Sequence, residues 1–249
     1  MTRRIHLLLV STTAFLFMTI LSSSLTQGAE RSVYIIESPL FDFFMAPNMT
    51  FDRGSAKVIL PGLNNCSCRS ACFTYGDGCK AWSIVSLGNG LTECRIADEG
   101  PMTLVPYKNE SSTYFFKMSS VPGTYKWEAD NLLYVALTSN MTTQDAKANC
   151  AKIPGHRLII VKSKATYDHF LARAAGNGVP FWVMDLNKIN GNETVWGDGT
   201  LPDLAIVTID LNNPNELTFV LYAGRIEDAA EYQGPFRVLC QANPLGVGW

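Results

Sequence analysis

The stretch Cys66-Ser67-Cys68-Arg69-Ser70-Ala71-Cys72, continued by Cys79-Lys80-Ala81-Trp82-Ser83 and Cys94-Arg95-Ile96, holds five of the seven cysteines of this 249-residue chain. The other two, Cys150 and Cys240, stand far apart in the C-terminal half. Such a distribution announces two small disulfide-bearing modules in series. A zinc site is disfavoured for the crowded group, because no histidine lies nearby and an exported chain oxidises its thiols.

Residues 1–29 give the reason to expect export. Arg3-Arg4 is followed by an apolar run from Leu7 to Leu21, a polar stretch Ser22 to Thr26, and the small residues Gly28 and Ala29. Basic start, apolar middle and small-residue end are the parts of a secretory signal peptide. The run approaches the length of a membrane anchor, the alternative reading, but Ser11, Thr12, Thr13 and Thr19 dilute it. No later segment is apolar for long enough to span a bilayer, so the mature chain is expected to be secreted. Five Asn-x-Ser/Thr sequons, at Asn48, Asn65, Asn109, Asn140 and Asn192, suit an extracellular glycoprotein. Losing Arg3 and Arg4 moves the formal net charge from -2 to -4. With no basic run anywhere, nucleic acid and anionic membrane are not expected partners.

Along the remaining chain, Ser119-Ser120-Val121-Pro122-Gly123 is the clearest boundary signal, small residues ending in a Pro-Gly turn. It divides the mature chain into residues 30–118 and 125–245, with 119–124 as linker. Before it, strands are predicted at 33–36, 56–60, 81–86 and 114–116, and a short helix at 64–74. After it, helices are predicted at 143–151, capped by Thr142 or Thr143, and at 164–174, stopped by Gly176 and Gly178. Strands are predicted at 132–137, 158–162, 217–222 and 236–239. Two helices followed by a strand-and-loop half is an α+β arrangement.

In the first module, Cys68-x3-Cys72-x6-Cys79-Lys80-Ala81-Trp82 followed by Cys94-Arg95-Ile96 resembles the PAN/apple family. That family joins a helix to a central hairpin through nested disulfides, and the resemblance implies Cys72–Cys79 and Cys68–Cys94. Cysteines at i and i+4 share a helical face, so both bridges can reach the same sheet. Cys66 is left over, an intermolecular bridge or a free thiol, or else it replaces Cys68 as the partner of Cys94.

The second module is similar to the C-type lectin-like domain. The matching pieces, in order, are Tyr134; Asp145-Ala146-Lys147-Ala148-Asn149-Cys150; Arg157-Leu158-Ile159; Phe181-Trp182-Val183; Val195-Trp196-Gly197-Asp198-Gly199; and Phe236-x3-Cys240. The resemblance implies an outer bridge Cys150–Cys240 and places Trp182 and Trp196 in the core. It also shows what is missing: the family's inner disulfide falls near Thr218 and on Glu231, and neither is a cysteine.

The family's calcium and sugar site falls on Asn213-Pro214-Asn215-Glu216 and on Ile226-Glu227-Asp228. By resemblance, Asn213, Asn215, Glu227 and Asp228 become calcium ligands that also hold a sugar, and Glu216 adds a further oxygen. Calcium takes roughly six to eight oxygens, and these residues keep most of that donor chemistry. The residues themselves leave a plainer alternative, an ordinary turn at Asn212-Asn213-Pro214 and a solvated edge at Glu227-Asp228.

No Gly-x-Ser-x-Gly elbow, His-Glu-x-x-His pair or phosphate-cradling glycine loop is present, and His156 and His169 lack metal-ligand spacing. An enzyme is therefore not expected. Two functions stay open. One is a secreted recognition protein that binds carbohydrate on glycans or cell-surface glycoproteins, with calcium as a candidate cofactor. The other is an adhesion or matrix adaptor that binds proteins through both modules and has a degenerate lectin site.

Overall fold

The computed structural model describes residues 33–37, 42–174, 182–190, 193–213, 215–222, 224–230 and 236–247. The signal-like segment, Phe181, Asn192 and Glu231 lie outside them. The architecture is mixed α/β with three disulfides among the described residues.

In the N-terminal half, β1 (Tyr34–Ile36), β2 (Phe43–Thr50), β3 (Val58–Pro61), β4 (Ala81–Gly88), β5 (Leu91–Ala97) and β6 (Tyr107–Lys117) form a sheet in the order β1-β2-β6-β4-β5-β3. Helix α1 (Asn65–Thr74) starts where Asn64 Oδ1 accepts the Ser67 N–H at 2.9 Å. Such a side-chain cap satisfies one of the N–H groups that a helix start leaves open. Cys68 and Cys72, the buried residues of α1, bond to Cys94 and Cys79, which staples the helix onto the β4–β5 hairpin. Cys66 is exposed and free. The short helix α2 (Pro101–Leu104) leads into β6.

In the C-terminal half, β7 (Gly123–Trp127), β8 (Leu133–Leu137), β9 (His156–Leu158) and β16 (Leu239–Ala242) form a sheet in the order β7-β8-β16-β9. Helix α3 (Thr143–Lys152) is capped by Thr142, whose Oγ1 accepts the Asp145 N–H at 3.2 Å, and Cys150–Cys240 ties it to β16. Beyond α4 (Lys164–Ala174), β10 (Trp182–Val183), β13 (Ile209–Asp210), β14 (Thr218–Tyr222) and β15 (Arg225–Ala229) form a second sheet, and β11 (Leu186–Asn190) with β12 (Glu193–Trp196) a hairpin. Trp196 is buried in the core under these loops, and Trp182 packs against its edge.

Neighbouring residues of a strand face opposite sides. On β2 and β6 this sends Phe43 and Phe115 to the face that carries α1, the disulfides and Trp82. Phe44, Tyr114 and Phe116 go to the other face, into one core with Leu133, Val135 and Val238 of the C-terminal half. Both faces of the N-terminal sheet are thus covered, one by its own helix and one by the second half. Residues 119–124 run along this seam, with Val121 buried and β7 starting at Gly123.

His156 sits at the seam, edge-on to Phe44 with ring centroids 5.2 Å apart. Its Nδ1 lies 2.9 Å from the Pro154 carbonyl oxygen, which can only accept, so Nδ1 carries the proton. Nε2 then accepts the Tyr125 hydroxyl at 3.0 Å. Burial drives the imidazole pKa down to about 4, against a smaller upward pull from the Pro154 carbonyl.

An unfolded chain, with histidine near pH 6.5, takes up the proton first. The contribution to stability is whole above about pH 6.5 and is lost as the pH falls towards 4, on the order of 3 kcal/mol in all. Denaturant unfolding should show stability falling across this window, with a flatter dependence in His156→Gln. Equal slopes in the two proteins would contradict the assignment.

Several predicted elements coincide with observed ones: α1, α3, α4, β4, β8 and β14. Two differ in an instructive way. The strand expected at 158–162 ends at Leu158, because Ile160 N–H turns to the buried Gln241 side chain instead of a neighbouring strand. The last strand begins at Leu239, since Phe236 meets Met141 only in an isolated bridge. Of the predicted glycine stop after α4, Gly176 and Gly178 lie outside the described residues.

Candidate functional site

The segments singled out for ligand binding meet at β15. Strand β14 runs antiparallel to it, with Phe219 opposite Asp228 and Val220 opposite Glu227. Strand β13 runs parallel on its other side, Asp210 opposite Glu227. The topology thus brings Asn212 and Asn213 against Asp228.

The Asp228 side chain is fully buried and accepts three hydrogen bonds from within the chain. Oδ1 accepts the Asn212 N–H at 2.9 Å, and Oδ2 accepts the Asn213 N–H at 3.0 Å and Lys188 Nζ at 2.9 Å. Lys188 Nζ also donates to the Asn213 carbonyl at 2.6 Å and lies 5.8 Å from the centre of the Phe219 ring. Burial would raise the carboxyl pKa, but the Lys188 ammonium and the two backbone N–H groups together hold it below its ordinary value. A cation therefore already serves Asp228, and it is the chain's own.

Asn213 spends its side-chain oxygen within the turn, where Oδ1 accepts the Asn215 N–H at 3.0 Å and its carbonyl accepts the Glu216 N–H at 3.1 Å. An asparagine oxygen that accepts the N–H two residues on makes an Asx-type turn, more specific than the ordinary turn expected at 212–214, of which Pro214 lies outside the described residues. Glu227 points to the opposite face of β15 from Asp228 and is hydrogen-bonded to Arg225 Nε, whose Nη1 lies 3.3 Å from Asp210. Asn215 is exposed and Glu216 half-buried. Among the described residues no group of three or more His, Cys, Asp or Glu side chains is placed to hold a metal ion. The five named residues do not fit calcium as placed: Asp228 and Glu227 diverge, and Asp228 is neutralised internally.

Lys188 is the site residue that sequence reasoning missed. It lies 40 residues before Asp228, on the β11–β12 hairpin, and no motif marks it. The Thr218 position, where an inner cysteine was expected, is buried, and its hydroxyl lies 3.0 Å from that of Thr143 at the start of α3. A hydrogen bond thus holds that end of β14 without a disulfide. Its expected partner position, Glu231, is outside the described residues.

A second polar network supports the hairpin. Lys147 lies 3.0 Å from Asp185, Arg157 bridges Asp185 and Asp198 at 3.6 and 3.7 Å, and Lys162 closes on Asp198. Burial would raise the Asp198 pKa, but Lys162 and Thr200 outweigh it and bring it to about 2. Gly197 lies against Asp185 so closely that a Cβ there would stand 1.9 Å from the carboxylate. This explains the Trp196-Gly197-Asp198-Gly199 sequence: tryptophan for the core, a glycine for the close approach, and an acid for the network.

Of the sequons, Asn48, Asn65 and Asn140 are exposed and Asn109 is half-buried, while Asn192 lies outside the described residues. No helix among the described residues is long and apolar enough to cross a membrane.

No protein-family model matches the chain, and no curated protein sequence matches it. Among solved structures, the chain is similar to the crystal structure of the natural killer cell receptor Ly49C. Identity is 14%, with 48% of this chain and 89% of that chain covered and a TM-score of 0.34.

Lys188→Met should leave Asp228 buried and unpaired, at a cost of about 3–5 kcal/mol. Asp228→Asn with Lys188→Met removes the buried charge and should recover part of that loss, since one of the two backbone N–H groups then faces an amide NH2 that cannot accept. Thermal melts of the single and double variants check this, and a neutral single variant would refute the pairing.

Proposed function

We propose that the chain is a secreted, glycosylated recognition protein, a PAN/apple-like module followed by a C-type lectin-like one, that binds a protein ligand without calcium. The Lys188–Asp228 pair carries this reading, since it fills with an internal ammonium the role a divalent cation would have at that carboxylate. The module assignments draw support from the helix-to-hairpin bridges Cys68–Cys94 and Cys72–Cys79 and from Cys150–Cys240 between α3 and β16. Disulfides of this number belong with an oxidising compartment.

A protein partner is favoured over a glycan by the exposed apolar side chains of the connecting segments. The three most exposed large apolar side chains among the described residues, Leu201, Leu204 and Leu217, at 72%, 74% and 70%, all lie between β12 and β14. Single exposed leucines are ordinary, but three in the segments that connect β12 to β14 suit an apolar contact. Calcium-dependent sugar binding through Asn213, Asn215, Glu216, Glu227 and Asp228 is the second reading, favoured by the oxygen-rich composition of those segments alone. Recognition, with no catalytic role, fits the absence of any nucleophile–base motif in the sequence.

A tagged, full-length secreted protein should bind cell surfaces equally in calcium and in chelator, and free mannose or galactose should not release it. Leu201→Asp combined with Leu204→Asp should weaken that binding about tenfold or more, the loss expected of buried contact residues. Binding that requires calcium and is released by a free sugar would overturn the proposal.

A further inference from the structure

A cavity of about 460 Å³ opens between the 129–132 turn, the segment 160–166 that leads into α4, and β16. Small-molecule sites run roughly 300–1,000 Å³. None of the residues that line it belongs to the Lys188–Asp228 network.

Gln241, on β16, is 1% exposed and lines this cavity. Its Oε1 accepts the Ile160 N–H, and since only the oxygen can accept, the orientation of the amide is fixed. Nε2 donates to no other described residue and is not among the fully buried unpaired atoms, so it opens onto the cavity that Gln241 lines. Its two N–H donors are there for water or for a ligand acceptor that displaces it.

Asp130 contributes the complementary chemistry. Oδ1 accepts the Leu132 N–H at 3.0 Å, while Oδ2 accepts the Tyr134 hydroxyl at 2.6 Å and the Thr166 hydroxyl. Thr166 has only one proton to give, so in its 2.8 Å contact with Ser163 it is the acceptor. Both hydroxyls are thereby spent inside the chain. A carboxylate has about four lone-pair sites, and the one still open is on Asp130 Oδ1. The charge of Lys162 is answered by Asp198. With Lys162 paired, the cavity presents the donors of Gln241, one open lone pair of Asp130 and the apolar walls Leu132, Ile160 and Ala165. The Asp130 carboxylate disfavours an anion, and the Gln241 donors need an acceptor, which a neutral group carrying both an acceptor and a donor supplies.

We propose that this cavity binds a neutral amide, its carbonyl oxygen on Gln241 Nε2, its N–H on Asp130 and its apolar substituent against Leu132 and Ile160. An N-acyl group and a peptide backbone share this chemistry. The proposal is independent of the protein-ligand reading above, because it concerns other residues and a different readout.

The test is a titration of the full-length protein with N-acetyl-leucine methylamide, followed by NMR or calorimetry. Saturable binding with Kd around 1 mM is expected for so small a ligand. Gln241→Glu keeps the acceptor for the Ile160 N–H and removes the donors, so it should weaken binding about tenfold or more. Ala165→Trp, at an exposed position on the rim, should block entry to a similar degree and reads the site even if Gln241→Glu unfolds. N-acetyl-leucine with a free carboxylate should bind about fivefold more weakly because of Asp130. A capped tripeptide that binds more tightly than the single residue assigns the occupant to a peptide chain, and equal affinity assigns it to an isolated acyl group. No saturable binding to the wild-type protein, or binding that survives Ala165→Trp or prefers the carboxylate, would overturn the proposal.

Discussion

Phe43-Phe44 on β2 and Phe115-Phe116 on β6 are adjacent aromatic pairs on strands, and a strand sends adjacent side chains to opposite faces. Both faces of the N-terminal sheet must therefore be buried. One face is closed by α1, held down through Cys68–Cys94 and Cys72–Cys79, with Trp82 stacked on Phe115 at a centroid distance of 4.6 Å. The other face needs the C-terminal half, which supplies Tyr125, His156, Leu133 and Val135. The two modules announced by the cysteines are consequently packed into one core. A buried neutral histidine at that seam makes the packing sensitive to acid.

Farther along the chain, the constraint is electrostatic. Asp228 lies on the inward face of β15, where an unpaired carboxylate would be strongly destabilising. Lys188 and the backbone N–H groups of Asn212 and Asn213 satisfy it, and in doing so fix Asn212 and Asn213 against the sheet. The sequence has the oxygen donors that calcium coordination needs, but the fold commits them elsewhere: Asn213 to its own turn, Glu227 to Arg225, Asp228 to Lys188. The loops are ordered from inside the chain, and the Thr143–Thr218 hydrogen bond ties one end of β14 to α3 without a covalent bridge.

Local and covalent features were the legible ones. The helix predicted at 64–74 matches α1, and all three pairings follow from the two family resemblances. Helix α4 begins at Lys164, as its residues predict. What stayed hidden depends on long-range placement. Strands β2 and β5 were not predicted: β2 contains Pro47 and a bulge at Asn48, and β5 mixes Glu93 and Arg95 into buried positions where they pair with each other at 2.7 Å. Lys188 carries no sequence signal at all, because a lysine on a hairpin reads as a solvated side chain until the fold brings a buried carboxylate to it. For the same reason the candidate site's composition was visible while its wiring was not.

Lys188, and not a metal ion, serves Asp228. The most direct test follows the backbone amide resonances of Asn212 and Asn213, which donate to Asp228, while calcium is raised to millimolar concentration. Both resonances should stay in place, with the Lys188 ammonium still in contact with the carboxylate. Saturable movement of the two amides, with loss of the Lys188 contact, would contradict this pairing.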